Sequence, residues 1–267
     1  MLTLILVVLF VGVMVALAVL AMAFLAVAFE RHPAAMGLAG GDWQLPWPVR
    51  EQVKQWAASN AGTAVGRLLH RDGAVGRGGT LRSVYDAARS AMQRFGGGAV
   101  ADRASSCSSC RHEVLGVTPL EAFAIAEQLK QSESPERLAE IRSTAAENAR
   151  LAAALNADAY AARKRTCPLF SCEGLCAADP MRPLQCLGWC SAGGDGDAAF
   201  ASCRGSRLDD AVWEGVRQGV QAGVASAHLD ASVYELNAAL VTALDTSDAR
   251  QRWADGEHLF DQCKRVS

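Results

Sequence analysis

The chain has nine cysteines in 267 residues, and five of them fall within "CPLFSCEGLCAADPMRPLQCLGWC", residues 167–190. Thiols at that density serve three kinds of chemistry: disulfide cross-links, a dithiol redox pair, or ligation of a metal ion. An earlier pair, Cys107 and Cys110, has the two-residue gap that lets both sulfurs reach one ion from a tight turn. Redox pairs share that gap, but a thioredoxin-like motif needs a βαβ setting, and no strand pattern surrounds this one. The second group comprises Cys167, Cys172, Cys176, Cys186 and Cys190, with Cys203 beyond it and Arg182-Pro183 between Cys176 and Cys186. Several thiolates around one divalent ion carry net negative charge, which a nearby guanidinium such as that of Arg182 can offset. Metal ligation is the leading reading. Spacing does not separate zinc from iron or an iron–sulfur cluster, because each accepts a set of four cysteines.

The remaining candidates read more plainly. Cys263 stands alone and reads as an ordinary thiol. Asp195 and Asp197 in "GGDGD" lack the further spaced oxygen ligands of a calcium loop and read as a solvated turn. His32, His70, His228 and His258 are isolated, whereas His112 lies two residues past Cys110 and is a candidate nitrogen ligand. There is no phosphate-binding loop, no G-x-S-x-G and no H-E-x-x-H, so no standard catalytic signature accompanies the cysteines.

The elements that must position these thiols are helices. Residues 2–29 form an apolar run broken only by Thr3 and Gly12. As a helix this run would be roughly 40 Å long, more than the ~30 Å hydrocarbon core requires. It is about twice the usual apolar length of a secretion signal, and no Lys or Arg precedes it, so an uncleaved anchor is expected. The first positive side chains, Arg31, Arg50 and Lys54, follow the run. The positive-inside rule then predicts a single-pass inner (plasma) membrane protein with its C-terminal domain in the cytoplasm. A reducing cytoplasm disfavours structural disulfides, which again favours metal. On the opposite orientation disulfides would regain ground. The Gly- and Pro-rich stretch 30–48, with Trp43 and Trp47, reads as a juxtamembrane linker or as tryptophans packed on the following domain.

Helical spacing recurs over Val49–Leu69 (Val49, Val53, Trp56, Asn60 or Ala61, Ala64, Leu68) and over Thr80–Phe95, giving a helical region 49–103. Thr118-Pro119-Leu120-Glu121 predicts a helix start with an N-cap, Pro at the first position and a capping box, running to about Gln131. Ser134-Pro135 starts another helix, expected to continue to Arg163, where Arg163, Lys164 and Arg165 suit the carbonyl end. Leu208–Ala227 carries Val212, Val216, Val220 and Val224 on one stripe and Gly215, Gly219 and Gly223 on the next. Small residues every four positions let a second helix approach closely, and Glu214, Arg217 and Gln218 exclude a membrane span. Two last helices are expected over Ser232–Leu244 and Ser247–Phe260. The predicted fold class is all-α: an N-terminal transmembrane helix, residues 1–29, then a small helical domain with cysteine-rich loops around a metal site.

A resemblance sharpens this reading. "CSSC", then Thr118-Pro119-Leu120-Glu121-Ala122 with "IAEQL", then "CPLF", then Cys176-x5-Arg182-Pro183-x2-Cys186, "GWCS" and Cys203 resemble the YkgJ-type cysteine-cluster family. "YELNAAL" and "RWADGE" add to the likeness, which spans about residues 104–260 within an expected metal-binding domain 104–267. The family is described as zinc- or iron-chelating, with flagellin lysine N-methylases as distant relatives. The resemblance implies Cys107, Cys110, Cys167, Cys176, Cys186 and Cys203 as metal ligands, with zinc or iron, including an iron–sulfur cluster, as the cofactor. One departure stands out. The family continues its first motif as CxxCxxCC, and Glu113 and Val114 occupy those last two positions here. His112, Cys172 or Cys190 are the available substitutes, and a mixed Cys/His set would tilt the site towards zinc.

Three functions follow as expectations: a membrane-anchored metal-binding cysteine-cluster protein, an accessory subunit of a larger respiratory or photosynthetic membrane complex, or an iron-dependent or protein-lysine-methylase-like enzyme. Whether the chain is an enzyme is left open by its residues. The expected partners are the membrane, through residues 2–29, and other membrane proteins. With 26 Lys+Arg against 28 Asp+Glu and no basic block, the chain has no electrostatic footprint for nucleic acid.

Overall fold

The computed structural model describes residues 47–72, 86, 114–170, 176–186 and 207–266. The chain divides between Gly41 and Asp42, and all the described residues belong to the second unit, Asp42–Ser267. Its elements are α1 (Trp47–Asp72), β1 (Gly116–Val117), α2 (Pro119–Ser132), α3 (Pro135–Ala154), α4 (Ala157–Ala161), α5 (Arg207–Ser226), β2 (Tyr234–Glu235), α6 (Leu236–Asp245) and α7 (Ala249–Ala254).

Helices α1 and α5 pack side by side, parallel and in register. Cβ atoms built on Gly215, Gly219 and Gly223 would meet Lys54 O at 2.3 Å, Ala58 O at 2.3 Å and Val65 Cβ at 2.6 Å. Partner residue numbers rise together along both helices, which defines the parallel direction. The glycine stripe is therefore a backbone-to-backbone seam, as four-residue spacing of small residues allows. Beside it Val212, Val216, Val220 and Val224 are buried, and α1 buries Val53, Ala57, Ala61, Val65 and Leu69. The buried face of α1 keeps the expected Val53 and Ala61 but takes Ala57, Val65 and Leu69 in place of Trp56, Ala64 and Leu68. Ala57 and Ala61 face the glycines because only small side chains fit at so short a separation. The ion pair from Lys54 Nζ to Glu214 Oε1, 2.6 Å, closes the seam's solvent edge.

Helix α2 starts as its sequence predicts. Glu121 N donates to Thr118 Oγ1 (3.3 Å), and Thr118 N donates back to Glu121 Oε2 (2.9 Å), a reciprocal capping box with Pro119 in the first turn. Every residue from Pro119 to Ala126 is buried, so α2 is the central helix of this part of the chain. It packs with α3 against α6, whose Leu236, Ala239, Leu240 and Ala243 are buried. An aromatic cluster completes this core: Phe123 lies 5.6 Å from Trp253 and 5.5 Å from Phe260, and Tyr234 stacks on Phe260 at 5.4 Å.

The expected fold class requires correction on two points. Among the described residues no helix is long and apolar enough to cross a membrane; residues 2–29, on which the transmembrane helix of that fold class falls, lie outside the described residues. The described part is also mostly helical rather than all-α. β1 and β2 form an antiparallel pair, Gly116 opposite Glu235 and Val117 opposite Tyr234, extended by a bridge from Tyr234 to Arg265. Strands of two residues are too short to show an alternating pattern, so their pairing is set by tertiary context. Gly116 is required in it, because a Cβ there would lie 2.5 Å from Val233 Cγ1.

The long helix expected from Pro135 to Arg163 is two helices. Leu155 is extended (φ −116, ψ 155), and the Asn156 side chain accepts a hydrogen bond from Ala159 N to start α4. A second N-cap wins over continuation because Asn bonds its own local backbone better outside a helix than within one. The expected final helix is likewise shorter, ending at Ala254 with turns beyond it. The helix expected over Thr80–Phe95 falls almost wholly outside the described residues.

Candidate metal centre

Of the six ligands implied by the resemblance, Cys167, Cys176 and Cys186 are described; Cys107, Cys110 and Cys203 lie outside the described residues, as do Cys172, Cys190 and His112. The backbone arranges the first two in the same way. Cys167 O accepts from Phe170 N at 3.1 Å, and Cys176 O accepts from Asp179 N at 3.0 Å, so each cysteine heads a tight turn. The two turns are joined by an antiparallel bridge between Phe170 and Cys176 and by Ala177 N donating to Leu169 O at 2.7 Å. Both cysteines are half-buried, whereas Cys186 is buried.

Side chains from α3 fix the first turn. Asn148, 1% exposed, donates from Nδ2 to Thr166 O (3.0 Å) and accepts from Arg165 Nε (3.1 Å). Arg165 also pairs with Glu147 at 2.7 Å, so this residue of the expected basic helix terminus is tied back to α3 while staying partly exposed. Arg137 Nη2 donates to Phe170 O at 2.9 Å. These bonds hold the segment on both sides of Cys167.

The third cysteine is held by α2 and β1. Glu121 Oε1 accepts from Leu184 N at 2.9 Å, while Oε2 stays with Thr118 N and Oγ1. Gln185 Oε1 accepts from Gly116 N at 2.8 Å. Residues 184–186 are helical, and both anchors act within two residues of Cys186. Burial pushes the Glu121 carboxyl upward from its ordinary value, opposed by these N–H groups, the Thr118 hydroxyl and the charge of Arg217. Arg182, 3% exposed, places Nε 3.4 Å from Asp179 Oδ1 in the turn headed by Cys176. A cation is thus buried within the cysteine-bearing segment.

A second buried carboxyl acts on Tyr160 together with Cys167. Glu235, 1% exposed, caps α6 by accepting from Asn237 N (3.0 Å) and Ala238 N (2.8 Å), and burial pushes its carboxyl up. Tyr160 is pushed up to about 12, first by burial and then by the negative fields of Glu235 and Cys167. Cys263 is buried 3.5 Å from Thr242 Oγ1, and burial raises its thiol, as suits an ordinary core thiol. None of Glu121, Gln185, Asn148 and Glu235 is distinguished as a site residue by its sequence position. Only the capping box of Glu121 is legible, and it predicts just one of that carboxylate's two engagements.

Among the described residues no group of three or more His, Cys, Asp or Glu side chains converges tightly enough to hold an ion. Cys167, Cys176 and Cys186 therefore do not make a complete ligand set by themselves. The donor chemistry fits zinc or iron only with sulfur or nitrogen added from outside the described residues, where Cys107, Cys110, His112, Cys172, Cys190 and Cys203 stand.

No protein-family model matches the chain, and no curated protein or solved structure matches it either. The resemblance to the cysteine-cluster family rests on its quoted motifs alone.

Proposed function

We propose that this protein binds a transition metal, zinc or iron, through thiolates drawn from Cys167, Cys176 and Cys186 together with cysteines of the 107–110 and 203 segments. The observation that carries the reading is the pair of back-to-back turns headed by Cys167 and Cys176. In such a turn the N–H two residues past the cysteine, here that of Leu169 or Ala178, is not used by the turn's own hydrogen bonds and suits a thiolate acceptor, as around cysteine-held metal. Buried Arg182 in the same segment supplies charge of the sign that a multi-thiolate site requires.

The three described cysteines would contribute ligands from two arms, one held by α3 and one by α2 and β1. An ion shared between them would cross-link elements far apart in sequence, so binding and folding would be coupled. The bound metal would supply that cross-link, with redox chemistry added if it is iron. The test is metal content and absorption of the full chain purified without oxygen, compared with a Cys176→Ser/Cys186→Ser variant. Metal present at a fixed ratio in the parent and lost from the variant supports the reading.

A further inference from the structure

We propose that Glu121 is the positioning residue of the Cys186 arm, holding residues 182–186 in place before any metal arrives. The residue is 3% exposed and its carboxylate divides its work: Oε2 closes the capping box on Thr118, and Oε1 reaches 63 residues along the chain to Leu184 N at 2.9 Å. A helix cap needs only the first engagement. The second fixes the backbone two residues before Cys186, and Gln185 fixes the adjacent residue on Gly116 N. A carboxylate is suited to this because it accepts along both oxygens, whereas a carboxamide must turn one N–H₂ face towards a backbone donor. Burial makes that mismatch consequential, since a buried donor left unmatched loses most of its hydrogen-bond energy.

The ligand role of Cys186 rests on the metal-binding reading above; the clamp on its arm does not. The two are separated by working first on metal-stripped full-length protein. Native-state alkylation of Cys186 by N-ethylmaleimide, resolved by peptide mass, reports opening of the arm, and Cys263 in the same sample reports opening of the core. Glu121→Gln is expected to speed Cys186 modification by about tenfold or more, the equivalent of one charge-assisted bond, while Cys263 stays slow. Thr118→Ala, which damages the cap but leaves the Leu184 bond, is expected to leave Cys186 close to the parent rate. If Glu121→Gln exposes both cysteines, Glu121→Asp decides, because it keeps charge at the cap but falls short of Leu184. Equal effects of the Glu121 and Thr118 variants on Cys186, or an unchanged Cys186 rate in Glu121→Asp, would overturn the proposal. Zinc retention against a chelator is then measured on the same proteins, with a weakening of about tenfold expected for Glu121→Gln. A parent that takes up no zinc would defeat the metal reading while the alkylation contrast still decides the clamp.

Discussion

Gly219 lies so close to Ala58 that a Cβ on it would stand 2.3 Å from the Ala58 carbonyl oxygen and 2.8 Å from Ala61 Cβ. The contact is with backbone, which cannot swing aside as a side chain can. Gly219→Ala therefore sets two effects against each other. Helix propensity favours Ala by about 1 kcal/mol, but forcing a close-packed seam apart costs typically about 1–3 kcal/mol and here strikes a carbonyl. The steric effect wins. Gly219→Ala is expected to lower the denaturation midpoint, whereas Gly66→Ala, whose Cβ would meet only Ser226 Oγ at 3.2 Å, should be neutral or slightly stabilising. Denaturant titrations of the two variants check the contrast.

Asn148 links α3 to the residue just before Cys167. Asn148→Ala would remove the donor to Thr166 O and the acceptor for Arg165 Nε. Thr166 is exposed, so its carbonyl can turn to water, and the loss is that of an ordinary hydrogen bond, about 0.5–1.5 kcal/mol. Reduced stability together with faster alkylation of Cys167 is the expected result. Unchanged Cys167 reactivity would show that this bond does not hold the turn.

Burial raises the Glu235 carboxyl from its ordinary value of 4.5. Between that value and the raised one, the folded state holds a proton that the unfolded state has released. The group's contribution is therefore fully present below the ordinary value and lost as pH rises through the folded one. Glu121 contributes with the same sign. Lys264 and the N–H groups of Asn237 and Ala238 limit the effect at Glu235. Glu235→Gln should flatten the fall in stability with rising pH just above 4.5, read from midpoints at closely spaced pH values. A slope identical to the parent's would remove Glu235 as its source.

The sequence carried the local features better than the distant ones. The capping box of Thr118 and Glu121 and the glycine stripe of α5 are legible because each depends on spacing within one helix. Their partners are not: Leu184 N is far along the chain from Glu121, and the identity of α1 as the second side of the seam follows only from packing. The break at Leu155–Asn156 is hidden because Ala, Leu and Arg continue a helical pattern across it, and the aromatic cluster joins residues from four separate segments. At the candidate site, motif spacing singles out Cys167, Cys176 and Cys186. The bonds that hold them come from Asn148, Arg137, Glu121 and Gln185, ordinary polar residues at unremarkable positions.

Cys263 offers a contrast within one molecule. Its buried, upward-shifted thiol should react slowly in the folded protein, well behind half-buried Cys167 and Cys176 in the metal-free state. Cys263→Ala should leave metal content unchanged. Loss of metal in that variant would draw Cys263 into the ligand set.

The central claim is that the cysteines hold a metal, and the most direct measurement is metal content with an absorption spectrum on the anaerobically purified full chain and on its Cys176→Ser/Cys186→Ser variant. A fixed complement of zinc or iron is expected in the parent, with its loss in the variant and a lower melting temperature accompanying that loss. A colourless zinc protein would favour a structural or chelating site, and a brown protein with acid-labile sulfide an iron–sulfur cluster. No bound metal in the parent, or equal metal content and melting in both proteins, would contradict it.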